Sequence, residues 1–306
     1  MKHSFNRLIK LTETLVSVCK MSRIPMYSCS KSKRVYKQYQ HVVIVCLMKH
    51  FKFNYRSVIE FLGITHELRN IIGISRLPHY TTIHKFFKRF STTKMEMILG
   101  QTVKMFGISE STIAVDSTGF SSNTASRYFM MIKYRQSKGV WKNSYMKQTI
   151  SVDTNKQVVI ADLPTNEHNS DFPYFIPVLN RTKRKVKIAT VLADHGYDSE
   201  VNNRFVRYGL KAENLIRVRL GTKCKKRRGR LRKKLVENFD WERYSKRNIV
   251  ESVFSVIKRK YGDTLYSRSL RLRKKELKVL CIIYNVHRYV NSFNCSIWWY
   301  LFYRAV

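Results

Sequence analysis

Trp241–Gly262, read as WERYSKRNIVESVFSVIKRKYG, is the stretch that decides how the rest of the chain is understood. Val250, Val253, Phe254 and Ile257 recur at helical spacing, which predicts a single amphipathic helix with these side chains turned to a core. Tyr244 is followed at offsets of three, seven and fourteen residues by Arg247, Glu251 and Lys258. At about 100° per residue the four fall on one narrow stripe. That stripe carries a single carboxylate among cations, whereas a solvated helix face scatters its charges. The pattern leads us to expect Glu251 to bind a metal and the neighbouring cations to bind phosphate. Taken alone, Glu251 reads more simply as the partner of Arg247 in a surface ion pair.

Two further acids stand out towards the N-terminus. Thr112–Val115 predicts a short strand ending in Asp116-Ser-Thr-Gly, and Lys187–Ala193 predicts another ending at Asp194. Lys147–Val152 and Gln157–Ala161 read as strands joined by the turn sequence Asp153-Thr-Asn-Lys, and Asn214–Val218 as a fifth. Helical patterns follow Ser170 or Asp171 as cap, cover Ser199–Tyr208, and return over Leu270–Val290. This alternation implies a mixed α/β domain. Adjacent strand ends can bring two carboxylates together, and a neighbouring helix can add a third. Clustered carboxylates repel unless a cation neutralises them, and hard divalent ions with oxygen ligands do so. Two such ions about 4 Å apart serve phosphodiester displacement. Singly, an Asp after a strand is more often a turn former or cap.

The charge of the chain agrees with a polyanionic partner. Its 306 residues carry 59 Lys and Arg against 20 Asp and Glu, a formal net charge of +39, and nucleic acid is the natural counterweight. Nine of the thirteen residues of 222–234 are Lys or Arg, which reads as a loop or arm lying on DNA. Lys225, Lys226, Arg227, Arg228 and Arg230 belong to it. Residues 1–108 read as short helices capped by Asn and Thr: Asn54 begins one, and Thr81 or Thr82 another. Such a bundle is compatible with DNA binding. The six cysteines include no Cys-x-x-Cys pair, so a zinc site or disulfide framework has no support, and reduced thiols in the cytoplasm fit best. No apolar run approaches the roughly 18 residues that span a bilayer. The aromatic tail over 292–306 contains Ile297–Tyr303, which reads as terminal packing or a dimer contact, with contact to a membrane surface as the other possibility.

The order Asp116, Asp194, Glu251 resembles the DDE triad of transposases with an RNase H-like fold. The first acid stands in Ile-Ala-Val-Asp-Ser-Thr-Gly and the second in Val-Leu-Ala-Asp-His-Gly-Tyr-Asp. Tyr244, Arg247, Glu251 and Lys258 each fall on the signature Y-(2)-R-(3)-E-(6)-K of insertion-sequence transposases of IS4 type, much of which the IS5 group shares. The resemblance implies an RNase H-like, mixed five-stranded sheet flanked by helices over residues 109–291, with a basic insertion at 222–240. An all-helical N-terminal region of 1–108 would precede it. It further implies that Asp116, Asp194 and Glu251 hold two Mg²⁺ ions, with Mn²⁺ as a substitute. Tyr244, Arg247 and Lys258 would contact phosphates at the element end. The implied partners are the terminal repeats of the element and target DNA, bound by a homodimer at the nucleoid of a prokaryotic cell, with no membrane role. The alternatives are a nuclease of the same fold that cleaves without joining, and a DNA-binding derivative that has lost catalysis.

Several neighbours stay open at this point. Asp198 competes with Asp194 for the second position, His195 either touches a phosphate or completes a turn, and Glu167, His168 and Asp171 read as capping groups. Ser117 and Thr118 read as turn residues. Trp141 and Trp241 read as core aromatics, with stacking on an unpaired base as the other possibility.

Overall fold

In the computed structural model the described backbone comprises residues 2–122, 145–165, 171–218 and 230–303, with side chains over 7–122, 145–165, 171–218 and 231–292. Trp141, Glu167, His168, Ser170 and the basic residues Lys225, Lys226, Arg227 and Arg228 lie outside these ranges, as does the side chain of Arg230. The chain divides into two compact units, one of Met1–Gly107 with Lys278–Val306, the other of Ile108–Leu277.

In the first unit the helices are α1 (Lys2–Met21), α2 (Gln38–His50), α3 (Tyr55–Ile64), α4 (His66–Ile72), α5 (Tyr80–Arg89) and α6 (Thr92–Lys104). Nearly every residue of α2 is buried, as expected of a helix with apolar side chains all round. The Asn54 side chain caps α3, accepting from the amides of Arg56 and Ser57 at 2.8 and 2.9 Å. Gly73 closes α4 with φ of 74°, a left-handed conformation that glycine adopts without strain. The cap of α5 differs from the sequence expectation: His79 holds the position, and its Nδ1 lies 2.8 Å from Thr81 Oγ1. Among the described residues Cys19, Cys29, Cys46 and Cys281 are free thiols, and no helix is long and apolar enough to cross a membrane.

The second unit is built on one mixed sheet. Its elements in order are β1 (Glu110–Ser122), β2 (Tyr145–Asp153), β3 (Val158–Thr165), α7 (Phe175–Thr182), β4 (Lys187–Ala193), α8 (Glu200–Arg204), β5 (Glu213–Ile216), α9 (Arg230–Glu237), α10 (Trp241–Ser245), α11 (Asn248–Tyr261) and β6 (Thr264–Leu265). The last helix, α12 (Leu270–Tyr303), starts here, and from Lys278 onward it belongs with the first unit. Strand order is β3-β2-β1-β4-β5. The first three strands pair antiparallel, and β4 and β5 continue parallel to β1, which is the RNase H-like arrangement. The two-residue β6 adds a sixth strand beside the end of β1. A register shift between Ser111 and Thr112 interrupts the β1–β4 pairing, which then runs on to Val115↔Ala193.

Three local expectations are corrected. First, β1 does not end at Asp116. Pairing with β2 carries it on from Asp116↔Ile150 to Ser121↔Tyr145, so Ser117 and Thr118 are strand residues rather than turn residues. What ends there is the parallel partner β4. Cross-strand pairing outweighs the weak strand preference of Ser-Thr-Gly.

Second, 241–262 is not one helix but α10 and α11, joined through Lys246 and Arg247. The Ser245 hydroxyl donates to the Glu242 carbonyl at 2.6 Å, and the Lys246 amide bonds to Arg243 instead, at 3.3 Å. Such back-bonding by serine competes with the helical ladder. The junction stays right-handed, with Arg247 N to Tyr244 O at 2.9 Å and Val250 N to Arg247 O at 3.1 Å.

Third, residues 230–234 of the basic stretch are not a loose arm but the start of α9, whose Arg232 is held by Asp198 as described below. Trp241 is likewise no core residue, with 61% of its surface exposed.

Candidate active site

The parallel pairing of β1 and β4 sets the site. With Val115 opposite Ala193, the residue that follows each is an aspartate, so Asp116 on β1 and Asp194 just past the end of β4 follow from one register step. Along β1 successive side chains alternate between faces. Asp116 and Thr118 share the face covered by α11: Lys258 donates to Thr118 Oγ1 at 2.7 Å, with its Nζ 5.3 Å from the centre of the Phe120 ring. Ser117 points the other way, where its hydroxyl meets Thr149 Oγ1 at 2.7 Å and Tyr197 Oη at 2.8 Å.

Arg247, from the junction before α11, reaches two of the three acids. Its Nη2 donates to Glu251 Oε1 at 2.6 Å and its Nη1 stands 3.7 Å from Asp116 Oδ2. Glu251 is the most solvent-exposed carboxylate of the three. Burial pushes the Asp116 carboxyl up to about 6; the Ser117 amide and Arg247 oppose this, while Glu251 and Asp171 add to it. For Asp194 burial acts in the same direction, but the amide and ring of His195 and the charge of Arg247 outweigh it and hold its pKa below the usual value. His195 Nδ1 is 2.8 Å from Asp194 Oδ1, which assigns His195 to this carboxylate. Burial lowers the pKa of Lys258 and raises that of Tyr244.

Tyr244 is buried against Phe239 and Trp241, with ring centres 5.1 and 5.9 Å apart. Its helix is tied to the sheet by Arg243, which donates to Glu213 Oε1 at 2.7 Å and to Thr190 Oγ1 at 3.0 Å. The stripe read from sequence therefore survives the break in the helix, but its members differ in kind. Arg247 faces the acids, Lys258 faces the rim of β1, and Tyr244 is packed as an aromatic.

Other residues around the acids take roles that the sequence does not announce. Asp171 is ion-paired with Lys147 of β2, and its Oδ2 would lie 3.9 Å from a Cβ placed on Gly196, so it approaches the turn after Asp194. It stands before the turn Phe172–Tyr174 but makes no side-chain capping bond there, contrary to the capping expectation. Tyr197 is buried against Phe175 at 5.3 Å between ring centres, and burial raises its pKa well above the ordinary value. A tyrosine within Asp-His-Gly-Tyr-Asp was visible, but no spacing announced that its hydroxyl would reach the strand bearing Asp116. Asp198 does not compete with Asp194: its side chain has no exposed surface and is gripped by Arg232.

The three acids suit a hard divalent cation. All donors are carboxylate oxygens, and the half-buried Asp116 is costly to ionise without a positive group beside it. As the side chains stand, however, no group of three or more His, Cys, Asp or Glu among the described residues is gathered so that it could hold a metal ion. An open carboxylate set is the kind Mg²⁺ uses when substrate phosphates complete its coordination.

A search of curated proteins by sequence gives no match. Among solved structures, the cryo-EM structure of a piggyBac transposase synaptic complex with hairpin DNA aligns over 95% of this chain and 75% of that chain, at 8% identity and a TM-score of 0.47. The family model described as Transposase DDE domain matches residues 108–286, more than half of the chain and all of the sheet with its three acids, and the chain belongs to the DDE transposase family.

Proposed function

We propose that this transposase binds the ends of an insertion sequence and catalyses hydrolysis and strand transfer there through Asp116, Asp194 and Glu251. The observation that carries the reading is the β1–β4 register, in which paired Val115 and Ala193 are each followed by an aspartate, with Arg247 joining Asp116 to Glu251. The three carboxylates would hold two Mg²⁺ ions, or Mn²⁺ in their place. Bound there, such ions supply activation of an attacking oxygen and stabilisation of the leaving one. The chain supplies the remainder. Arg247 and Lys258 bring positive charge to the phosphate whose negative charge grows in the transition state. Packing of Phe239, Trp241 and Tyr244 fixes the short helix that aims Arg247. Hydrolysis at the element end frees a 3′-OH, which then attacks target DNA in the same site. The +39 charge supports long-range capture of DNA. Synapsis of two ends calls for a homodimer on DNA, acting in the cytoplasm of a prokaryotic cell.

The test is an assay with DNA carrying the element ends and Mg²⁺ or Mn²⁺. Nicked ends and joined target products are expected. Nicking without joining would make the protein a nuclease of this fold. Binding with neither product would make it a DNA-binding derivative and end the proposal.

A further inference from the structure

The five residues Asp194–Asp198 form one tight turn fastened at several points. The Tyr197 amide bonds to the Asp194 carbonyl at 3.0 Å, and the Asp198 amide bonds to that of His195 at 3.1 Å. Tyr197 reaches across to Ser117, whose own amide donates to Asp116 Oδ1 at 2.8 Å. The far end is held by Asp198. Arg232 Nε lies 3.0 and 3.1 Å from its two oxygens and Nη2 lies 2.6 Å from Oδ2, while Asn203 Nδ2 adds a bond of 3.2 Å to Oδ1. Asn214 of β5 then donates to Asn203 at 2.6 Å and accepts from the Ile216 amide at 3.1 Å. A buried carboxylate is tolerated only with such partners, and the planar guanidinium fork fits it in a way lysine cannot.

Arg232 lies in the stretch whose cations read, from sequence, as phosphate contacts, yet its charge is already committed inside the protein. We propose that Arg232 is a positioning residue for Asp194: through Asp198 it fixes the turn that sets where the Asp194 carboxylate stands beside Asp116. This rests on the assignment of Asp194 to the active site. On this reading the pair acts on geometry and not on DNA capture.

The experiment compares full-length wild type with Arg232→Lys, Arg232→Gln and the double variant Asp198→Asn with Arg232→Gln, in which a neutral hydrogen bond replaces the ion pair. Three quantities are read: the salt dependence of DNA binding, cleavage at saturating DNA, and Mn²⁺ affinity by calorimetry without DNA. Thermal unfolding is followed in parallel. In both single variants we expect an unchanged salt slope, at least a tenfold loss of cleavage and about tenfold weaker Mn²⁺ binding, with partial recovery in the double variant. A salt slope lowered by about one phosphate contact, with cleavage of the bound complex and Mn²⁺ affinity unchanged, would assign Arg232 to DNA and overturn the proposal. Should the single variants fail to fold, a second double variant, Asp198→Ala with Arg232→Ala, which removes the link altogether, decides: wild-type cleavage and Mn²⁺ affinity in it would also overturn the proposal. Failure of wild type itself to cleave would count against the transposase reading, while the Mn²⁺ comparison would still test Arg232.

Discussion

Arg247 donates to Glu251 at 2.6 Å while standing 3.7 Å from Asp116, so one guanidinium balances two of the three acids. A divalent ion at these carboxylates would take over that role and release Arg247 towards phosphate. Arg247→Gln should therefore bind Mn²⁺ more tightly than wild type without DNA, by about tenfold for one lost neighbouring charge. Its cleavage of end-containing DNA should fall by about a hundredfold or more, the scale set by losing one charge-stabilising donor. Calorimetry and single-turnover cleavage measure the two. Weaker Mn²⁺ binding in this variant would contradict the competition.

Glu251→Gln keeps the size of the side chain and removes its charge. We expect cleavage to vanish, while affinity for DNA changes by no more than about threefold, since the site loses one negative group among many cations. Gel-shift and cleavage assays on the same preparation suffice. Wild-type cleavage by this variant would remove Glu251 from the triad.

The raised pKa of Asp116 has a definite consequence for stability. A carboxyl with a folded pKa of about 6, against 3.8 ordinarily, contributes stability that is present below the lower value and lost as pH rises through the higher. In EDTA, wild type should lose on the order of 3 kcal/mol from this group between pH 4 and pH 7. Asp116→Asn should not, so the difference between their denaturant-unfolding curves isolates the group. Adding Mg²⁺ should restore wild type and leave the variant unmoved. Parallel stability profiles in EDTA would show that Asp116 ionises without penalty.

Deletion of residues 222–229, which spares α9 and Arg232, should weaken DNA binding and flatten its salt dependence in proportion to the phosphate contacts removed. A binding titration across salt concentrations reads this directly. An unchanged slope would leave these cations without a place on DNA.

Much of this site could be read before the structure, because its parts are local. The helical stripe from Tyr244 to Lys258 is a matter of periodicity, and Asp194 directly follows a strand that reads as one. Asp116 stands out in the sequence for a reason only half correct. Its own strand continues, and the ending belongs to β4, which no local pattern around Asp116 could reveal. The roles of Lys147, Asp171, Tyr197 and Arg232 depend on residues far away in sequence. A lysine in a strand or an arginine in a basic run looks solvated until its partner is known. The break at Ser245 turned on one side-chain hydroxyl outcompeting one amide, a choice too fine for periodicity to report.

The irregularity between Ser111 and Thr112 governs more than local shape. Before it Glu110 lies opposite Lys187, and after it Thr112 lies opposite Thr190, so β4 has gained Ala189 relative to β1. Were Ala189 instead paired in a regular ladder, the strands would run on one place out, and Asp194 would come level with Ser117, whose side chain points to the opposite face. The bulge thus acts as a vernier between the two acids. Deleting Ala189 would turn the bulge into a regular ladder and keep the two acids level, whereas inserting one residue between Thr190 and Val191 would leave every functional side chain in the chain and still bring Asp194 level with Ser117.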